Sequence, residues 1–83
     1  MKRALITGAH GFIGQNLARF LSAQGQSVAG LGHGAWPEFR TCGVSTWVNG
    51  EIDHGNLDAI AAMHGSPDTI FHLAGGSLVA LSF

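Results

Sequence analysis

Thr7-Gly8-Ala9-His10-Gly11-Phe12-Ile13-Gly14 is the stretch on which the fold of this chain turns. Its three glycines fall at intervals of three, behind the apolar run Ala4, Leu5, Ile6 and ahead of apolar residues at Ile13, Leu17, Phe20 and Leu21. The second set has helical spacing, so the stretch reads as strand, glycine turn, helix. Each glycine has a separate physical task in such a turn. Gly8 permits the tight bend, Gly11 lets a pyrophosphate approach the backbone with no Cβ in the way, and Gly14 lets the helix lie close on the strand. The helix start then offers free N–H groups and a partial positive charge to an anion. A tight turn that binds nothing is the plainer alternative. A P-loop is excluded, because no Gly-Lys-Ser/Thr follows.

Outward from the turn, Gly25 stands where a left-handed cap closes the first helix. Ser27 to Leu31 reads as a second buried strand, weakened by Gly30 and ended by Gly32-His33-Gly34. Pro37 opens a short helix through Cys42, its fixed φ suiting a first turn, and Gly43 closes it. Val44 to Val48 alternates loosely and is rich in β-branched residues, a third strand before Asn49-Gly50. Leu57, Ile60, Ala61 and His64 recur at helical spacing, with Asn56 or Gly55 near the N-cap and Gly65 past the end. Ser66-Pro67-Asp68 is a turn, and Thr69 to Ala74 is a continuous apolar run of the kind that forms a strand covered on both faces. The order is β-α-β-α-β-α-β. Strands alternating with helices imply right-handed crossovers and a parallel sheet. In the doubly wound arrangement the strand order is 3-2-1-4, and ligands sit beyond the strand C-termini where the winding reverses, between strands 1 and 4.

Composition narrows the function classes. With 83 residues the chain is one domain at most. Its 11% charged residues lie well below the roughly 25% of ordinary soluble domains, against both a disordered acidic tail and a basic nucleic-acid arm. The formal net charge is −1, and Lys2, Arg3, Arg19 and Arg40 form no basic patch, so no nucleic-acid partner is expected. Cys42 is alone, and five His without a second thiol make no usual zinc ligand set, so no metal is expected and a reducing compartment fits. No run approaches the roughly 20 apolar residues of a membrane span. The expectation is a soluble, cytoplasmic protein with no membrane partner, in which Leu78 to Phe83 is one sticky segment.

The wording Thr-Gly-Ala-x-Gly-Phe-Ile-Gly at Thr7–Gly14 closely resembles the extended short-chain dehydrogenase/reductase family, the NAD-dependent epimerases and dehydratases of nucleotide sugars. Asn49-Gly50-Glu51-Ile52 is similar to the family segment after strand 3, where an acidic residue and the following backbone meet the adenine. Phe71-His72-Leu73-Ala74-Gly75 is similar to the strand-4 segment whose backbone lines the nicotinamide-side ribose. The resemblance covers nearly the whole chain. It implies that residues 1–83 are a partial NAD(P)-binding Rossmann domain, the N-terminal half of a Rossmann-type doubly wound sheet. The cofactor contacts it implies are Gly8, His10, Gly11, Phe12, Ile13, Gly14, Gly32, His33, Glu51, Ile52, Leu73, Ala74 and Gly75.

One departure and one absence qualify it. The usual reader of the adenosine ribose is a carboxylate about 20 residues beyond the glycines. Gly32 takes that place and His33 follows, with His10 in the glycine turn nearby and Arg40 a second cation. Loss of the carboxylate removes an acceptor for the 2′-hydroxyl and the repulsion that excludes a 2′-phosphate, so the pattern favours NADP over NAD. The family's acid/base pair is a Tyr and a Lys four apart, and this sequence has no Tyr and only Lys2. A hydroxyl of depressed pKa needs a neighbouring cation, so no catalytic residue is assigned. The expectation is the dinucleotide-binding portion of a nucleotide-sugar epimerase/dehydratase or reductase, not itself catalytic, whose substrate is met only in a longer parent protein. The alternatives are a non-catalytic NAD(P)-binding sensor or module, and an inactive truncated fragment. A half-sheet of this kind also leaves strand 4 as an open edge, which invites self-association. Of the remaining residues, His72 reads as a hydrogen-bonded core His, Trp47 as cover for the sheet, Cys42 as a small buried hydrophobe, and Trp36 stays open between adenine stacking and cover.

Overall fold

A computed structural model of the chain describes residues 2–34, 36–50, 54–73 and 79–82. The elements are β1 (Arg3–Thr7), α1 (Phe12–Ala23), β2 (Ser27–Gly32), a 3-10 turn (Phe39–Cys42), β3 (Val44–Asn49), α2 (His54–His64), β4 (Thr69–His72) and β5 (Val79–Ser82). They form one sheet in the order β3-β2-β1-β4-β5. The first four are parallel, and β1 at the centre pairs Leu5 with Ala29 on one side and with Ile70 on the other. This is the doubly wound Rossmann arrangement that the alternation of elements predicts, with strands 3-2-1-4 in the expected order.

Alternation along β1 divides the core into two layers. Ala4 and Ile6 face α1 and the 3-10 turn with Ala18, Leu21, Val28 and Val44, whereas Leu5 faces α2 with Ala29, Leu31, Ile60 and Ile70. Every residue from Ala4 to Thr7 is buried, which is why this strand is apolar without a break. Both helices end as read. Gly25 takes φ +83° after α1 and Gly65 φ +92° after α2, conformations costly for any residue with a Cβ.

β3 departs from simple alternation. The pairing with β2 runs from Val28 opposite Val44 to Ala29 opposite Thr46, so Ser45 is an extra residue, and its hydroxyl donates to the Val28 carbonyl at 3.1 Å. The extra residue turns Val44 and Trp47 to the same side of the sheet, the side of α1.

The expected open edge on strand 4 is corrected. β5 pairs antiparallel with β4, Thr69 opposite Ser82 through His72 opposite Val79, so part of the stretch read as sticky is a fifth strand. At the strand N-termini the Arg3 N–H donates to Asp68 Oδ2 and the Asp68 N–H to the Arg3 carbonyl, both at 2.7 Å. The N-terminal ends of β1 and β4 are thereby clamped together.

Candidate functional site

At the opposite ends of the strands the chain leaves β1 through the glycine turn. Gly8 takes φ +68°, its N–H donates to the Leu31 carbonyl at 2.6 Å, and its own carbonyl accepts from the Gly11 N–H at 3.1 Å. A Cβ on Gly14 would lie 2.6 Å from both Ala9 Cα and the Gly8 carbonyl oxygen, backbone atoms that cannot turn aside. The fold therefore demands glycine at 8 and at 14. It makes no such demand at 11. Gly11 has an ordinary extended backbone (φ −74°, ψ 171°), and a Cβ there would meet only the Gly8 carbonyl oxygen, at 3.4 Å.

Gly11 is also the N-cap of α1, whose first intrahelical bond runs from the Gln15 N–H to the Gly11 carbonyl at 2.9 Å. The N–H groups of Phe12, Ile13 and Gly14 precede that bond and have no carbonyl one turn back. Among the described residues no side chain caps them, and the first turn holds no acid. An anion here would meet backbone donors and the positive end of the helix dipole. Phe12 and Ile13 flank the position, 83% and 59% exposed.

The C-terminal ends of β1 and β4 are tied beside the turn. The Thr7 hydroxyl and His72 Nδ1 are 2.8 Å apart, and the Leu73 N–H reaches Thr7 Oγ1 at 3.1 Å and the Thr7 carbonyl at 3.2 Å. His72 is thus the hydrogen-bonded strand histidine expected of it, and Leu73 is half-buried against the α1 layer.

At the end of β2, Gly32 is buried and its missing side chain is replaced by others. A Cβ there would fall 2.6 Å from His10 Nδ1 and 2.7 Å from Trp47 Cη2. The Trp47 indole also runs over Gly30, where a Cβ would lie 2.9 Å from Cε3. His10 stands edge-on to Trp47, ring centroids 5.9 Å apart at 80°, and Trp36 meets the indole from elsewhere at 5.3 Å and 76°. Trp47 Nε1 is buried with no hydrogen-bond partner among the described residues. Trp36 is 8% exposed, which settles it as cover. The Gly50 N–H donates to the Gly32 carbonyl and the Gly34 N–H to Asn49 Oδ1, both at 2.7 Å, which joins the ends of β2 and β3. His33 is exposed beside them. Arg40 lies over the Phe39 ring at 5.1 Å. Cys42 is buried, with its thiol 3.8 Å from Gln15 Oε1.

Among the described residues, those expected to meet the cofactor run from Leu73, bonded to Thr7, through the glycine turn to His10, Gly32 and His33. Glu51, Ile52, Ala74 and Gly75 lie outside the described residues. Trp47 covers the sheet as read, and what the sequence reading did not place is its seat over β2. The signal was Gly30 and Gly32, two residues apart on a strand and so on one face, which leaves a trough for a large side chain.

The sequence model of the NAD dependent epimerase/dehydratase family matches residues 4–83. The chain belongs to this family. Its cofactor is a nicotinamide dinucleotide, which when bound supplies hydride acceptance and return. The residues present fit that group: an uncapped helix start preceded by a glycine, Gly11, that the fold itself does not require. The chain carries the NAD-binding portion of the family's fold. No helix among the described residues is long and apolar enough to cross a membrane.

Proposed function

We propose that this chain is the dinucleotide-binding part of a nucleotide-sugar epimerase/dehydratase or reductase, with the acid/base groups in a longer parent protein. Gly11 carries the reading: with no steric or dihedral need for glycine inside the fold, its bare backbone serves a ligand lying against it. In this reading the pyrophosphate meets the backbone at Gly11, Phe12, Ile13 and Gly14. The nicotinamide-side ribose lies toward Leu73, Ala74 and Gly75, and the adenosine lies toward Gly32, His33, Glu51 and Ile52. NADP is favoured over NAD, because no carboxylate stands at 32 to repel a 2′-phosphate and His33 follows it. A sequence without Tyr supports placing the acid/base pair elsewhere. The free, buried Cys42 suits a reducing, cytoplasmic setting.

Titration calorimetry with NADP(H) and NAD(H) tests the reading. The unaltered chain is expected to bind, and Gly11→Val to abolish binding while keeping the melting temperature near that of the parent. Unchanged affinity in Gly11→Val would refute the assignment. Assay of a longer parent with sugar nucleotides separates an enzyme from a sensor, since turnover excludes the sensor.

A further inference from the structure

We infer that Gln15 is a positioning residue for the dinucleotide: it holds the glycine turn by its carbonyls and leaves the N–H groups of the helix start to the pyrophosphate. The inference rests on the dinucleotide reading above and deepens it. Gln15 grips two successive carbonyls of the turn. Its backbone N–H donates to the Gly11 carbonyl at 2.9 Å, and its side-chain Nε2 donates to the His10 carbonyl at 2.7 Å. The His10–Gly11 peptide is therefore held at both ends, because the Gly11 N–H donates to the Gly8 carbonyl.

The direction of the side-chain bond is what points to a ligand. A helix start has spare N–H groups, so a polar side chain there ordinarily accepts from one of them. Gln15 donates instead, and so does Asn16, whose Nδ2 reaches the Phe12 carbonyl at 2.9 Å. Both amides thus engage acceptors and leave the donors of Phe12, Ile13 and Gly14 to an anion. The other end of the Gln15 amide is fixed as well. Its Oε1 faces the Cys42 thiol in the 3-10 turn, 3.8 Å away, which leaves Nε2 as the atom for His10.

The grip matters because of Gly11. Swinging the His10–Gly11 peptide changes mainly ψ at 10 and φ at 11, and a residue without a Cβ passes readily to positive φ. The backbone bond that resists the swing, at 3.1 Å, is near the long end of the ordinary range, whereas the Gln15 bond is short. The bare backbone that admits a pyrophosphate also admits a wrong turn of the peptide, and Gln15 is the side chain that opposes it.

Hydrogen exchange of the Gly11 amide, read by NMR, and calorimetric titration with NADPH and NADH are compared for the unaltered chain, Gln15→Met and Gln15→Lys. Methionine has similar length and helix propensity but no donor. Gln15→Met is expected to melt near the parent, to exchange the Gly11 N–H about threefold faster and to bind NADPH about threefold more weakly, the low end for one hydrogen bond that water partly replaces. Gln15→Lys keeps a donor for the His10 carbonyl. It is expected to return Gly11 exchange to the parent rate, although a nearby positive charge attracts hydroxide and by itself hastens exchange. Unchanged Gly11 exchange in Gln15→Met, or faster exchange with unchanged NADPH affinity, would overturn the inference and leave the dinucleotide reading standing. If the unaltered chain binds neither NADPH nor NADH, the dinucleotide reading and the positioning role fall together.

Discussion

At Gly14 an added methyl group has no room, because the nearest atoms are backbone of Gly8 and Ala9 at 2.6 Å. Overpacking of this kind costs about 1–3 kcal/mol, so Gly14→Ala should melt well below the parent chain, and Gly11→Ala, with only a 3.4 Å contact, near it. Thermal unfolding of the two variants separates a glycine kept for folding from one kept for a ligand. His64 carries a different residue-scale consequence. Burial lowers its pKa below the ordinary 6.5, the Arg3 charge lowers it further, and the bond from its Nε2–H to the Ser27 carbonyl works the other way. The unfolded chain thus takes up this proton before the folded one. The contribution to stability is full above pH 6.5 and is lost as the pH falls through the lowered folded value. Melting curves between pH 5 and 8 should show the parent losing stability toward acid relative to His64→Gln, and parallel curves would disprove the assignment.

Among the elements, those held by local chemistry were the legible ones. The first strand, the glycine turn, α1 and its Gly25 cap all follow from spacing and from positive-φ positions within a few residues of each other. Pro37 and Gly43 correctly bracket a helical turn, which closes as a 3-10 segment over Phe39–Cys42. What was not legible depends on partners distant in sequence. The loose alternation of Val44 to Val48 comes from Ser45 being extra, a matter of register with β2 that no local pattern fixes. β5 is four residues long, and such a run is indistinguishable from surface stickiness until a neighbouring strand is known. The tie between β1 and β4 is equally non-local, 65 residues of sequence separating Thr7 from His72. Thr7→Val removes His72's partner and one acceptor of the Leu73 N–H. It should cost about 1–3 kcal/mol, read as a lower denaturant midpoint with an unchanged slope.

For the molecule as a whole, the sheet meets solvent differently from the half-sheet that counting strands suggests. β4 is paired on both sides, and the outer positions belong to β3 and β5. Removal of residues 79–83 should uncover the β4 edge and raise the average mass seen in sedimentation above that of the intact chain, because an unpaired strand edge recruits other chains. Equal masses would mean that β5 does not shield it. The Arg3–Asp68 clamp has a practical consequence. Parallel strands place that clamp at one pole of the sheet and the glycine turn at the other. A surface linker or affinity handle attached ahead of Lys2 departs from the clamped pole, leaving the rim at Gly11 turned toward the surrounding solution. Immobilised in that orientation, the chain presents its binding rim to whatever nucleotide flows past it.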